Sequence, residues 1–372
     1  MRCKMKHIIK IFTILAFGVI VLVTLFIGLL TMTEYRPDDV EVLIVENNVS
    51  EGVKLNESIR IMTFNIGYSG LGASEDFVMD GGSKGRPDSK EVVEGFLEGI
   101  LSIIDTYSVD IYLLQEVDID SRRSYQLNQV EAIRHHLGND YSSTFAYNFK
   151  ALFVPFPVSR DFLGPVESGL QTLSVYEISH AERHQFPGSF SWPLRVANLK
   201  RAMMVIRIPI ENETKELVVI NHHMSAYDDG GMRSQEMAYL REFMQNEVDL
   251  GNYVIVGGDF NHSFPGTLET FPLDEVLKTF WNVEAMEENY FGDDFTLVFD
   301  PTLPTCRLLH QPFVPSDPLN PYNPLDKETQ FYIIDGFIIS NNVELVEVFT
   351  VNQWFEYSDH NPVVMEIILR DE

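Results

Sequence analysis

The chain has 372 residues, 45% hydrophobic and 22% charged, a balance that excludes a disordered chain and allows one large core. Its 27 basic and 55 acidic side chains leave a formal net charge of −28, which disfavours a protein that grips a nucleic-acid duplex by its backbone. Two cysteines, Cys3 and Cys306, exclude a disulfide scaffold and a thiolate zinc site.

The first predicted element is apolar. Arg2, Lys4, Lys6 and Lys10 precede a run of 22 uncharged residues at 11–32, and Glu34, Asp38, Asp39 and Glu41 follow it. As a helix the run is about 33 Å long, enough for a hydrocarbon core of about 30 Å. The charge asymmetry predicts a single-pass anchor in the cell membrane. Residues 1–10 would be cytoplasmic, 11–32 would span, and the rest would be extracytoplasmic. A cleaved signal peptide is the competing reading, but signal cores run only about 7–15 residues and 30–33 is a poor cleavage site. A buried core helix is the third. Without the first 32 residues, 23 basic and 55 acidic side chains remain, a net of −32. Cys306 reads as a packed thiol rather than a nucleophile.

Residues 33–58 read as an acidic linker with a short strand at 40–45. Beyond it, short apolar runs predict strands at 59–65, 109–116, 217–223, 253–259, 331–340, 345–351 and 362–369. Helical spacing predicts helices at 90–107 and 234–248. Three long segments, 67–89, 148–167 and 301–325, read as functional or mobile loops. Within the second, 149–157 reads either as an apolar loop dipping into a bilayer or as an ordinary core strand and its connection, the latter preferred. No boundary interrupts 59–372, which predicts a single α/β domain.

Polar residues recur where these strands end, as binding sites do in open α/β sheets. Asn65 ends the first run and Glu116 the second. His223 ends the third, and Asp259 with Asn261 the fourth. Asp335 lies inside the fifth, and Asp359-His360 immediately precedes the last. Each alone has an ordinary reading as a cap or a surface polar group. Together they form a set of carboxylates that, once buried, need a partner or a cation. Oxygen donors without thiolate favour Mg²⁺, Mn²⁺ or Ca²⁺.

The ordered series Thr63-Phe64-Asn65-Ile66, Gln115-Glu116-Val117, Asn221-His222-His223-Met224, Gly258-Asp259-Phe260-Asn261, Ile334-Asp335-Gly336-Phe337 and Ser358-Asp359-His360-Asn361-Pro362 resembles the endonuclease/exonuclease/phosphatase superfamily, the deoxyribonuclease-I-like fold. The resemblance covers about 59–370. It implies a four-layer α/β sandwich, two mixed sheets packed face to face and flanked by helices, here preceded by the transmembrane helix. It implies phosphoester cleavage with Mg²⁺ or Mn²⁺. By resemblance, Glu116 and Asn65 hold the metal, with Asp359 contributing. Asp259 orients and deprotonates water, and Asn261 holds that water or the phosphate. His223 and His360 flank the phosphate, and Asp335 orients His360. Glu167, in Glu-Ser-Gly-Leu, is a weaker match to the carboxylate partnering the other histidine. Arg201 reads equally as a phosphate contact or a structural ion pair. Two departures stand out. His222 replaces the usual threonine before the site histidine, and Gly336 replaces the usual tyrosine after Asp335.

Superfamily members act on nucleic acids, sphingomyelin, inositol polyphosphates and messenger tails, so substrate class stays open. The leading expectation is a membrane-tethered phosphodiesterase or phosphatase acting on phospholipid or a small phosphodiester. A surface nuclease using Arg183, Arg195, Lys200 and Arg201 as a basic stripe is the alternative. A non-catalytic tethered binding protein is the third.

Overall fold

The computed structural model describes residues 2–371 except 229, 316, 318 and 324–328. It opens on helix α1 (Arg2–Met32), whose stretch Met5–Met32 is long and apolar enough to cross a membrane. Nearly all of its side chains are exposed, so the core-helix reading fails.

The chain then adds β1 (Val40–Val42), β2 (Val45–Glu46) and β3 (Ser58–Asn65), followed by helix α2 (Lys90–Thr106) and β4 (Ile111–Asp118). Helix α3 (Gln129–Leu137) leads into the hairpin of β5 (Ser142–Val154) and β6 (Gly164–Ser174), after which the chain crosses to the other sheet for the meander of β7 (His180–Gln185), β8 (Ala202–Pro209) and β9 (Glu216–His223). After helix α4 (Gly231–Asp249) come β10 (Tyr253–Asp259), β11 (Phe295–Val298), β12 (Asp335–Ser340), β13 (Val343–Thr350) and β14 (Val363–Leu369).

Seven strands in the order β1-β7-β8-β9-β10-β12-β11 form one mixed sheet, and seven in the order β13-β14-β3-β4-β6-β5-β2 form the other. Strand alternation explains why they stack. On β3 and β4, Ile59, Ile61, Ile111 and Leu113 join Leu217, Val219 and Ile255 of the facing sheet in one central core. The alternate residues Met62, Phe64, Tyr112 and Leu114 pack outward with Leu97, Ile100 and Ile104 of α2 and Ile133 of α3. On the opposite side Val218, Ile220, Val254 and Val256 meet Met237, Leu240 and Met244 of α4. Helix, sheet, sheet and helix make the four layers.

Three expectations change. The expected loop at 148–167 is mostly the β5–β6 hairpin, with only residues 155–163 outside the strands. The expected linker at 33–58 is paired into the domain, β1 against β7 and β2 against β5. The expected strand at 331–340 is interrupted. Phe331–Tyr332 pairs with Cys306–Arg307, and only Asp335–Ser340 joins the large sheet. The end of the expected 301–325 segment lies partly outside the described residues.

Candidate active site

Register assembles the site. Asp259 of β10 lies opposite His223 of the parallel strand β9 and opposite Asp335 of the antiparallel strand β12. Three site residues thus stand in a row across one sheet. Alternation decides which histidine belongs there. His223 shares the inner face with Leu217, Val219 and Asn221, while His222 faces outward and packs edge-on against Phe260 at 4.3 Å. The other sheet supplies Asn65 at the end of β3 and, next to it, the segment entering β14 with Asp359 and His360.

Glu116 reaches the site through a backbone irregularity. Regular alternation would turn it outward behind Leu114. A bulge between Leu114 and Val117, with Glu116 at φ 55°, puts Val117 on the outer face instead and swings Glu116 to the sheet end. Such a conformation is strained for a non-glycine residue and is held here by the pairing on both sides. Asn261, at φ 50°, tolerates the same region more easily.

Asp259 is the hub. Its Oδ2 accepts a hydrogen bond from Asn65 Nδ2 at 3.1 Å and lies 3.3 Å from His223 Nε2 and 3.7 Å from His360 Nε2. Its Oδ1 accepts from the Asn261 backbone N–H at 2.9 Å. The Asn261 side chain donates to the Met224 carbonyl, which fixes the turn after β10. Asp335 Oδ2 lies 2.7 Å from His360 Nδ1, so the expected orienting pair is present. Glu116 carboxylate oxygens lie 3.9 Å from His223 Nδ1 and from Arg123 Nη1.

The two histidines are driven to opposite protonation states. Burial opposes charge on His360, but Asp335, Cys306 and Asp359 hold it well above the usual histidine value. Burial pushes His223 well below that value, and Arg201 and His360 add to the push. The electrostatics thus favour charge on His360 and disfavour it on His223, on either side of the shared Asp259. Burial, reinforced by Asp335, pushes Asp259 up to about 7. Burial, reinforced by Glu116 and Asp80, likewise pushes Asp359 up to about 7, against the pull of His360 and Arg307.

The donors fit a hard cation. Glu116, Asp359 and the Asn65 amide offer oxygen only, and burial has left Asp359 poorly compensated. Cys306 belongs to a compact group with Asp359 and His360, and burial pushes its thiol up to about 12. Asp259, Asp335 and His360 form a second compact acidic group.

All of these except Asp335 line one cavity of about 690 Å³. Arg201 also lines it, with no carboxylate within 4 Å among the described residues, which removes its reading as a structural ion pair. Burial holds its guanidinium below the usual value, while Glu116, Glu236 and Asp259 favour its charge. Glu167 is a correction. It faces Lys150 across the β5–β6 hairpin, accepts from Tyr147 Oη at 2.8 Å and does not line the cavity. The basic stripe is a second correction. Arg183 is buried with its Nε donating to the Tyr147 carbonyl, and Lys200 and Arg195 both turn to Glu34.

Several cavity residues escaped the sequence reading. Arg123 lies over the Tyr68 ring at 3.8 Å and pairs with Asp118 at 2.9 Å. Tyr227 Oη donates to Asp80, whose other oxygen accepts from the Leu309 N–H. Behind the site, Gln115 Nε2 donates to Asn221 Oδ1 at 2.8 Å, and Asn221 Nδ2 donates to Gln171 O and Thr172 Oγ1. This buried tie pins the two sheets together one pleat below the row of His223, Asp259 and Asp335. Its only sequence signal was two polar residues inside otherwise apolar runs.

The chain matches the family model described as Endonuclease/Exonuclease/phosphatase family over residues 62–360. No curated protein matches it. A crystal structure of an endonuclease/exonuclease/phosphatase from Beutenbergia cavernae DSM 12333 superposes with a TM-score of 0.57 at 16% identity, covering 85% of this chain and 72% of that one. A conserved protein of unknown function from Enterococcus faecalis V583 gives 0.52 at 15% identity, covering 84% and 100%. An endonuclease/exonuclease/phosphatase from Bacteroides vulgatus gives 0.50 at 16%, covering 85% and 100%. At such identities the structural likeness establishes the fold alone. The family match over most of the chain establishes more: this protein belongs to the endonuclease/exonuclease/phosphatase family, whose members generally hydrolyse phosphoesters with a divalent metal.

Proposed function

We propose that this protein is a membrane-tethered, metal-dependent phosphoester hydrolase with its catalytic domain outside the cytoplasm. The observation that carries the chemistry is the convergence of His223 and His360 on Asp259, their Nε2 atoms 3.3 and 3.7 Å from its Oδ2. In this reading Asp259 orients the attacking water and accepts its proton, helped by Asn261. Water adds to phosphorus, one P–O ester bond breaks, and His360 gives the leaving oxygen its proton. Asp335 keeps His360 charged and oriented until then. His223 Nδ1, without a hydrogen-bond partner among the described residues, is placed to donate to a phosphoryl oxygen, and Arg201 adds charge there. Asn65, Glu116 and Asp359 would hold Mg²⁺ or Mn²⁺, which neutralises charge developing on the phosphoryl oxygens. The anchor rests on the length and apolarity of α1, and its direction on the basic residues before it and the acidic ones after it.

The test uses the full chain in detergent, stripped of metal and resupplied with Mg²⁺ or Mn²⁺, on bis-(p-nitrophenyl) phosphate. Metal-dependent turnover is expected, and Asp259→Asn should lower kcat by at least about 10²-fold. Equal turnover by wild type and variant would overturn the assignment of Asp259.

A further inference from the structure

The cavity is too large and too apolar at its mouth for the phosphate alone. Its floor holds His223, Asp259 and His360, but one wall is made by Phe26, Ile27 and Leu30, on one face of α1. Those three belong to the stretch that is long and apolar enough to cross a membrane. At 1.5 Å per residue, Phe26 lies only about 9 Å along the axis from the end of the helix at Met32. If α1 spans a bilayer, the wall of the catalytic cavity therefore lies at the depth of the acyl chains nearest that end.

The junction is built, not loose. Leu30 is 5% exposed, while most of the helix is bare. The Phe26 ring meets Phe153 edge-on at 5.8 Å, and Trp192 Nε1 donates to Thr31 Oγ1 at 3.1 Å. Directly after the helix, the Glu34 side chain is 3% exposed and bound by Lys200 at 2.9 Å and Arg195 at 3.4 Å. These contacts hold the mouth at a set height beside the helix. Exposed apolar side chains stand beside the mouth. Of the lining residues, Phe156 in the β5–β6 hairpin loop is 40% and Leu194 64% exposed; near them in sequence Val158 is 98% exposed, beside the charged Arg160 and Asp161, and Trp192 56%. Exposed apolar tips flanking a spanning helix, with tryptophan among them, are what an interface-embedded surface presents.

We propose that the substrate is a membrane lipid phosphoester that reaches the site sideways from the leaflet, its hydrocarbon chains lying along Phe26, Ile27 and Leu30 while its phosphate meets His223 and His360. This rests on the hydrolase reading above and adds its substrate class. Water adds to the lipid phosphorus and one P–O bond breaks. The protonated leaving alcohol and the phosphate-bearing fragment part, the hydrocarbon-bearing product staying in the membrane and the other leaving to water.

The experiment reconstitutes the full chain, loaded with Mg²⁺, into vesicles of phosphatidylcholine, phosphatidylglycerol and phosphatidylethanolamine, with the headgroup of each lipid labelled in turn. Release of labelled headgroup is compared with turnover of bis-(p-nitrophenyl) phosphate by the same preparation. Wild type should hydrolyse at least one of the three lipids. Ile27→Trp, which fills the wall, and Val158→Asp, which charges the rim, should each lower the ratio of lipid to soluble-ester turnover by about tenfold or more. Soluble-ester turnover with no lipid hydrolysis would overturn the lipid proposal and leave the hydrolase reading intact. Lipid hydrolysis with an unchanged ratio in both variants would overturn sideways access. Absence of turnover on every substrate by folded, metal-loaded protein would remove the hydrolase reading itself.

Discussion

His222 and His223 are neighbours with opposite fates, and the cause is a pleat with a period of two. His223 enters the cavity, while His222 is wholly buried on the other face, with neither ring nitrogen hydrogen-bonded among the described residues. Burial alone pushes His222 down to about 3. The sign follows from linkage. The unfolded chain takes up a proton at His222 below about pH 6.5, whereas the folded chain resists it until about 3. The neutral ring's advantage is thus whole above pH 6.5 and is lost as pH falls toward 3, at up to about 1.4 kcal/mol per pH unit. His222→Leu should flatten that acid limb of stability, measured by denaturant unfolding at stepped pH, and should not cost stability at pH 7.5. An unchanged acid limb would mean that other groups dominate acid unfolding. Glu167 teaches a related lesson. Its short motif matched a family pattern, yet its side chain pairs with Tyr147 and Lys150 at the hairpin, because direction depends on strand phase that four letters do not reveal.

Elements explain what was legible and what was not. The strands that carry the chemistry were readable because they are buried on both faces and end abruptly in a polar residue, as in 59–65 and 253–259. The strands from β5 to β8 were not, since Ser-Ser-Thr-Phe-Ala-Tyr-Asn-Phe mixes polar and aromatic residues without clean alternation and Pro155 and Pro157 suggest a loop. The sites at Asn65, His223, Asp259 and His360 needed only strand ends. Glu116 needed a bulge and Arg123 a helical turn, and neither leaves a periodic signal. Close approach of elements is the other hidden quantity. A Cβ on Gly258 would stand 2.2 Å from the His222 carbonyl oxygen on the paired strand β9. Gly258→Ala must part the two strands whose register sets His223 beside Asp259. We expect about 2–4 kcal/mol of destabilisation, together with a fall in kcat larger than in KM. Full stability with lost turnover would put the effect in the site alone.

At the scale of the whole molecule, charge opposes the proposed tether. After α1 the chain carries a net of −32, which repels an anionic bilayer over about one Debye length, roughly 8 Å at physiological salt. A free domain with that charge would stay away from such a surface. On the proposed reading that α1 spans the bilayer, a domain joined to it by α1, and clamped to the helix end through Glu34, is held there regardless. The encounter with a lipid in the same leaflet is then independent of electrostatic steering, and added salt removes only the repulsion. On the lipid reading, the initial rate of the full chain in vesicles rich in anionic lipid should hold steady or rise between 50 and 200 mM salt. A nucleic-acid strand gripped through several phosphates would behave in the opposite way, losing about 10³-fold or more in affinity over a similar range. A steep fall in rate with salt would therefore return the argument to a polyanionic substrate, in spite of the dispersal of Arg183, Arg195 and Lys200 into internal pairs.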